Sequence, residues 1–378
     1  MKKSFIELAT PGVQKLRPYL PGKPVEELER ELGISNSIKL ASNENPLGPS
    51  PLSIKAIEKQ LTSINYYPDG GGFALSARIA EENNVDVSKV TLGNGSNDIL
   101  ELITRAYLTA TDSAVFSEHS FAVYPIVVQA VGAQANVAKA YPESHELMPL
   151  GHDPDAIVDS ITDNTRMVFI ANPNNPTGTW LTSEQLLALF ERIDSSVIIV
   201  LDLAYIEYMN EDLQPDIPDW LRRFPNLVIT RTFSKVYALA GLRIGYALTH
   251  PDIADVLNRV RQPFNTNLLA QAAALAALDD DEHVAKSVAM NNAGKALLEK
   301  AFNDLQLTFL PTMGNFISVN VKQDGLALYQ RMLKHGVILR PVANYQMPEY
   351  LRITIGTEQQ NLRLLDVLST EIAEQVLS

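Results

Sequence analysis

Short apolar runs at residues 90–92, 114–116, 167–170, 197–201 and 227–230 constrain this chain more than any other feature. None alternates apolar with polar residues, as a strand with one wet face would. Helix-forming stretches stand between them, at 53–61, 74–83 and 99–108 among others. Continuous apolar strands separated by helices predict a mostly parallel central sheet covered on both faces, and hence an α/β fold.

Beyond residue 245 the pattern changes. Helical periodicity covers 253–260, 268–278, 282–305 and 326–335, with strands at 316–321, 337–340 and 351–355 and a last helix from Glu358. This mixture predicts a smaller α+β unit. A chain of 378 residues, 46% hydrophobic, can bury one large core and one lesser core. Ahead of both lies a turn-rich arm. In it a short helix after Pro24 shows Val25, Leu28 and Leu32 on one face and stops at Gly33. The expected division is an arm at 1–44 packing with the smaller unit, a large domain at 45–260 and a small C-terminal domain at 261–378. The polar, proline-broken loop at 41–49 has no local reason for its composition; a simple connector would account for it.

A net charge of −13 with no Lys/Arg block argues against a nucleic-acid partner. The absence of cysteine removes thiolate metal sites and disulfides, and no metal is expected. No apolar h-region follows Met1-Lys2-Lys3, and no run of ~18 apolar residues occurs. The expectation is a soluble cytoplasmic protein without a membrane segment.

Chemistry concentrates at 230–246. Lys235 follows two hydroxyl residues, Thr232 and Ser234, and Arg243 comes shortly after in an Ala/Leu/Gly run. An ammonium is costly to bury and loses proton affinity there, which suits an amine that attacks an aldehyde to form a Schiff base. Pyridoxal 5'-phosphate (PLP) supplies such an aldehyde, and Thr232, Ser234 and Arg243 can hold its phosphate. A surface turn with a solvated lysine is the plain alternative.

Other groups fall at the carboxyl ends of expected strands, where open α/β sheets bind ligands. Gly93-Asn94-Gly95-Ser96-Asn97 leaves a strand and opens a helix, making an anion cradle. Asp98 stands where a dinucleotide fingerprint needs its last glycine, so a single phosphate is favoured. Phe121 can stack on a planar ring or serve only as core. Asn175, fixed between Pro173, Pro176 and Gly178, can donate to a phenolate oxygen. Asp202 ends a buried strand, where a carboxylate needs a partner such as a pyridinium N–H. A helix cap is its other reading.

In combination these motifs resemble the fold-type I PLP-dependent aminotransferases of class II, and among them the histidinol-phosphate aminotransferase family. The likeness spans nearly the whole chain, from L-A-S-N-E-N-P-L-G at Leu40 through Y-P-D-G-G-G at Tyr67, G-N-G-S-N-D at Gly93 and N-P-N-N-P-T-G at Asn172. It continues with A-Y-I-E-Y at Ala204, T-F-S-K at Thr232 and L-R-I-T-I-G at Leu351. The resemblance implies that Lys235 forms the Schiff base and later shuttles a proton, that Asp202 pairs with the pyridine nitrogen, and that Tyr205 and Asn175 bond the phenolate oxygen. It implies a phosphate site of Gly95, Ser96, Asn97, Ser234 and Arg243, with Thr232 near and Phe121 stacked on the ring. Tyr67 resembles a tyrosine that reaches a partner's cofactor phosphate, which implies a homodimer. Leu203 departs from the glutamate usual after the aspartate.

For substrate, Arg352 matches the family's carboxylate anchor, Arg340 lies on the neighbouring strand, and Tyr19 and Asn43 resemble residues that close over the ligand. The implied reaction converts L-histidinol phosphate and 2-oxoglutarate to imidazole-acetol phosphate and glutamate by a ping-pong route, in histidine biosynthesis. An aromatic amino acid aminotransferase, a threonine-phosphate decarboxylase-like enzyme and a non-enzymatic binding module with a vestigial site are the alternatives.

Overall fold

The apolar runs become the inner strands of one sheet. The computed structural model describes residues 4–19 and 21–376. After β1 (Ile38–Lys39) come β2 (Val90–Gly93), β3 (Ser113–Ser117), β4 (Gln134–Ala138), β5 (Thr165–Ala171), β6 (Ile198–Asp202), β7 (Leu227–Thr232) and β8 (Gly245–Leu248). The sheet has the order β2-β8-β7-β6-β5-β3-β4. Only β8 breaks its parallel run, lying antiparallel to both β2 and β7. Alternate residues along β5 and β6 feed two cores. Val168, Ile170, Ile199 and Leu201 pack on one face, and Met167, Phe169, Ile198 and Val200 on the other. Burial on both faces is why these strands show no polar alternation.

Two of these strands escape the sequence reading for physical reasons. β8 follows Arg243 with no helix between and returns beside β7, so its run reads as a continuation of the loop. β4 is the sheet's outer strand and its residues are mostly exposed, which erases the apolar signal.

The second sheet comprises β9 (Thr308–Phe309), β10 (Phe316–Asn320), β12 (Arg340–Val342) and β13 (Met347–Thr354), in the antiparallel order β12-β13-β10-β9. The strand expected at 337–340 is divided. β11 (Val337–Ile338) pairs in parallel with β1, and Arg340 begins β12 in the other sheet. Helices Asp281–Asp304, Gly325–Lys334 and Glu358–Val376 pack over this sheet through Leu298, Phe302, Leu328, Met332, Leu364 and Leu368. Among the described residues no helix is long and apolar enough to cross a membrane.

Parallel strands place their carboxyl ends on one edge. The residues that end β5, β6 and β7 therefore share a rim, and the chain at 41–46 crosses from β1 to that rim. Asn43 donates its backbone N–H to Thr354 Oγ1 at 2.8 Å, tying the crossing to β13.

Candidate active site

A cavity of about 260 Å3 opens where this rim meets the second sheet. Lys235 reaches it from the turn after β7. That turn is held by the Ser234 N–H, which donates to Thr232 Oγ1 at 3.1 Å, and by the Leu239 N–H, which donates to the Phe233 carbonyl at 2.9 Å. Lys235 Nζ lies 3.4 Å from the Ser42 carbonyl and 5.5 Å from the Tyr205 ring centroid. Removal from water, and secondarily the nearby Arg352 charge, lower its pKa to about 8. On the order of a tenth of it is therefore neutral at pH 7, far more than for a solvated lysine.

Beside it stand Ser96 and Asn97, the first residues of helix Ser96–Tyr107, with Thr232, Ser234 and Arg243. Arg243 is left-handed, at φ 56°, and donates Nη1 to Ser234 Oγ at 3.4 Å and to the Ala240 carbonyl at 3.1 Å. Gly95, at φ 83°, forms the bottom of this cradle without lining the cavity: a Cβ there would sit 2.5 Å from Arg243 Nη2. The carboxylate of Asp98 is turned aside, accepting from the Asn94 N–H and Asn265 Nδ2, each at 2.8 Å. Hydroxyls, a guanidinium and a helix amino end thus converge on one small anion site.

Asp202 ends β6 and is almost fully buried. Its Oδ2 accepts from the Tyr124 hydroxyl at 3.0 Å, while Oδ1 has no hydrogen-bond partner. Desolvation raises its pKa, and the Tyr124 bond, followed by the nearby Thr230 hydroxyl and Ala204 N–H, opposes that rise, though neither of the last two makes a hydrogen bond of normal geometry to Oδ1. A buried carboxylate oxygen without a donor is a costly arrangement that a ligand N–H would relieve. Tyr124 escapes the sequence reading. Phe121, three residues before it, lies edge-on to it at 5.8 Å and 87° and lines the cavity. Leu203, the departure in the motif, is fully buried in the large core.

Opposite Asp202, hydrogen bonds fix which way Asn175 and Tyr205 donate. Arg352 Nη1 donates to Asn175 Oδ1 at 2.6 Å, so the amide nitrogen is the group left for the cavity. Asn43 Nδ2 donates to the Tyr205 oxygen at 2.9 Å, so the phenol keeps its own proton to give. Asn43 holds this post at φ 55° with almost no exposure. Arg352 is itself buried, with Nη2 donating to the Ala41 carbonyl at 2.7 Å. Arg340, directly opposite Arg352 in the β12–β13 register, packs its guanidinium 5.4 Å from the Tyr19 ring centroid.

Of the residues singled out from the sequence, Gly95 and Tyr67 lie off the cavity wall. Tyr67 is 81% exposed and stacks on Phe264 at 4.6 Å. Glu44 and the Ser42 carbonyl line or touch the site without having been foreseen; the polar composition of their loop was the available signal.

The family description "Aminotransferase class I and II" matches residues 35–368. Histidinol-phosphate aminotransferase 2 of Pseudomonas fluorescens is 54% identical over 375 residues, covering 99% of this chain and 100% of that protein. This chain belongs to the histidinol-phosphate aminotransferase family, within the class I and II aminotransferases. Another member, histidinol-phosphate aminotransferase 2 of Pseudomonas aeruginosa, is 53% identical across 98% of this chain and 99% of its own length. The histidinol-phosphate aminotransferase of Sinorhizobium meliloti, solved in complex with pyridoxal-5'-phosphate, superposes with a TM-score of 0.88 at 27% identity, covering 97% and 98% of the two chains. Membership makes the chain an aminotransferase and agrees with the α/β reading of its sheet.

Proposed function

We propose that this aminotransferase moves the amino group of L-histidinol phosphate to 2-oxoglutarate, using PLP held in the cavity around Lys235. The cofactor reading is supported by the orphaned Asp202 Oδ1, the Gly95–Arg243 cradle and the lowered Lys235 pKa. When bound, PLP supplies an amino-group carrier and an electron sink. Ser96, Asn97, Ser234, Arg243 and Thr232 would hold its phosphate, and Phe121 would cover its ring. Asp202 Oδ1 would accept the ring N–H and keep that nitrogen protonated. The Asn175 amide and the Tyr205 hydroxyl would donate to its phenolate oxygen. Lys235, in its neutral form, would take a proton from the substrate Cα and give it back at the cofactor's C4′.

The observation that carries the substrate reading is Arg340 directly opposite Arg352. Opposed residues of an antiparallel pair share a face, so both guanidiniums stand on one wall of the cavity. A phosphate ester answers both charges, whereas a single carboxylate needs one guanidinium. Neither the aromatic amino acid nor the threonine-phosphate reading is favoured beside relatives so similar.

On this reading residues 45–260 carry the cofactor, joined by helix Leu268–Ala277, which packs into the large core and not, as the boundary at 261 would have it, into the smaller unit. The rest of 261–378 with the arm at 1–44 carries the substrate. A homodimer is part of the proposal: Ile64, Tyr66, Tyr67 and Phe73 form an exposed apolar stretch, and Tyr67 would serve the other protomer's cofactor phosphate. A cytoplasmic location fits the lack of cysteine. The test is a half-reaction screen of PLP-loaded protein against histidinol phosphate, tyrosine, phenylalanine and glutamate. Histidinol phosphate and glutamate are expected to discharge the cofactor's visible band. A preference for phenylalanine over histidinol phosphate would overturn the assignment.

A further inference from the structure

The loop whose polarity had no local explanation contains a second device. Asn43 and Asn45 are both buried and both anchored. Asn43 bonds Tyr205 and Thr354, while Asn45 Nδ2 donates to the Val236 carbonyl at 2.7 Å and to Ser287 Oγ at 2.8 Å. Glu44, between them, is held in place yet keeps a side chain 46% exposed. Its carboxylate accepts from Lys39 Nζ at 2.8 Å. Lys39 belongs to β1, whose partner β11 runs on toward Arg340. Glu44 lines the active-site cavity and also borders an adjoining cavity of about 490 Å3, whose wall includes Lys39.

Resting on the functional reading above, one charged group on the cavity wall, Glu44, still has no role there. Lys235 and Asp202 belong to the cofactor, and Arg340 and Arg352 to the phosphate ester or α-carboxylate. The ring of histidinol phosphate brings an imidazole N–H that needs an acceptor. Two carboxylates line the cavity among the described residues, Asp202 and Glu44, and Asp202 is already committed. The second substrate brings a different problem, because glutamate carries a distal carboxylate to the same end. A lone glutamate side chain would repel it; an ammonium beside that side chain would not.

We propose that the Glu44–Lys39 pair is the specificity determinant for the far end of both substrates, Glu44 accepting the imidazole N–H and Lys39 meeting the distal carboxylate of glutamate or 2-oxoglutarate. A site built to bond a ligand N–H rejects an analogue lacking it, because the acceptor is then desolvated without a partner. A partly exposed ion pair of no functional consequence would leave substrate preference unchanged.

The experiment compares histidinol phosphate with 2-amino-3-phenylpropyl phosphate, which keeps the amine and the phosphate ester and replaces the imidazole by a larger ring with no nitrogen; the size difference is common to wild type and variants. The readout is the ratio of kcat/KM for the two compounds with PLP-loaded enzyme. Glu44→Leu is expected to lower that ratio about tenfold, the low end for a charge-assisted bond at a half-open site. Glu44→Gln, which keeps a neutral acceptor of the same shape, is expected to fall between Leu and wild type. Lys39→Met is expected to raise KM for 2-oxoglutarate several-fold more than KM for histidinol phosphate. An unchanged ratio in Glu44→Gln and Glu44→Leu, or equal KM changes in Lys39→Met, overturns the inference. Wild-type enzyme that does not turn over histidinol phosphate would instead overturn the functional reading on which it rests.

Discussion

Arg352 Nη1 stands 2.6 Å from Asn175 Oδ1, so the group proposed to anchor the substrate also orients the amide proposed to bond the cofactor. On that reading the buried guanidinium would serve both ligands of one site. Arg352→Ala is expected to damage both half-reactions, because α-carboxylate and phosphate ester use the same anchor. Loss of a charge-assisted bond costs roughly 1.5–3 kcal/mol, or about 10- to 150-fold in kcat/KM. The cofactor's absorption maximum should shift as well, since Asn175 is released to turn. Damage confined to one substrate would contradict the shared anchor.

Tyr124 and Asp202 form a second linked pair, at 3.0 Å. Asp202→Ala is expected to keep some PLP but lose turnover by at least about 100-fold, the scale of removing one buried charge partner. Tyr124→Phe is subtler. Its hydroxyl favours the ionised carboxylate, so its loss moves the Asp202 pKa further in the direction burial already drives it. The acid limb of the kcat/KM profile should then move to higher pH. An unmoved limb would mean that the hydrogen bond does not tune the carboxylate.

Gly95 and Gly33 both have positive φ, at 83° and 65°, but differ in what a side chain would meet. A Cβ at Gly95 would lie 2.5 Å from Arg243 Nη2, whereas nothing lies within 4 Å of one at Gly33. Gly33→Ala should cost about 1 kcal/mol of stability from backbone strain alone. Gly95→Ala adds displacement of Arg243, and is expected to weaken PLP affinity at least about tenfold through one charge-assisted contact. Equilibrium dialysis of cofactor from both variants, beside their melting curves, separates the two effects.

Lys235, Asp202 and Asn175, which line one cavity, could be singled out because each puts a costly or constrained residue type beside a strand end: Lys235 after two hydroxyl residues, Asp202 closing β6, Asn175 between prolines. The parallel core was legible because burial on both faces leaves apolar runs unbroken. What stayed hidden depends on tertiary placement. Tyr124 gains its role only when helix Val123–Ala130 packs against β3 and β4 and brings the hydroxyl to Asp202, and nothing in V-Y-P-I-V-V distinguishes a hydroxyl aimed at a carboxylate from a core ring. The division at Leu339 is equally invisible, because β11 and β12 satisfy different neighbours, β1 and β13, with no turn residue between Val337 and Arg340.

Lys235 carries a pH-dependent cost in the cofactor-free protein. Its folded pKa is lowered from 10.5 to about 8. Between those values the unfolded chain holds a proton that the folded chain has released, so stability rises with pH across the window. Below about pH 8 both states are protonated and the penalty is fully present. Lys235→Met is therefore expected to stabilise the apoprotein at pH 7 by up to about 3 kcal/mol, at ~1.4 kcal/mol per pKa unit. The gain should fade as pH approaches 10.5. Denaturant titrations of both proteins at pH 7 and pH 10 check the sign, and a gain that grows with pH would refute it.

Arg340 is the test of why the cavity carries two opposed arginines. Arg352 alone suffices for an α-carboxylate, so the second charge matters in proportion to the extra charge on the ligand. Arg340→Ala is expected to lower kcat/KM for histidinol phosphate by about 10- to 150-fold, the span of one charge-assisted bond at ~1.4 kcal/mol per decade. For phenylalanine, a monoanionic carboxylate with a neutral ring, the loss should be several-fold smaller. The packing of Arg340 against Tyr19, at 5.4 Å, complicates the comparison, because its removal also frees the arm. Tyr19→Leu, measured beside it, isolates that contribution: loss of the ring contact should affect both substrates alike. Equal losses for the two substrates in Arg340→Ala would reduce Arg340 to a wall of the pocket. A larger loss for phenylalanine would reverse the substrate assignment.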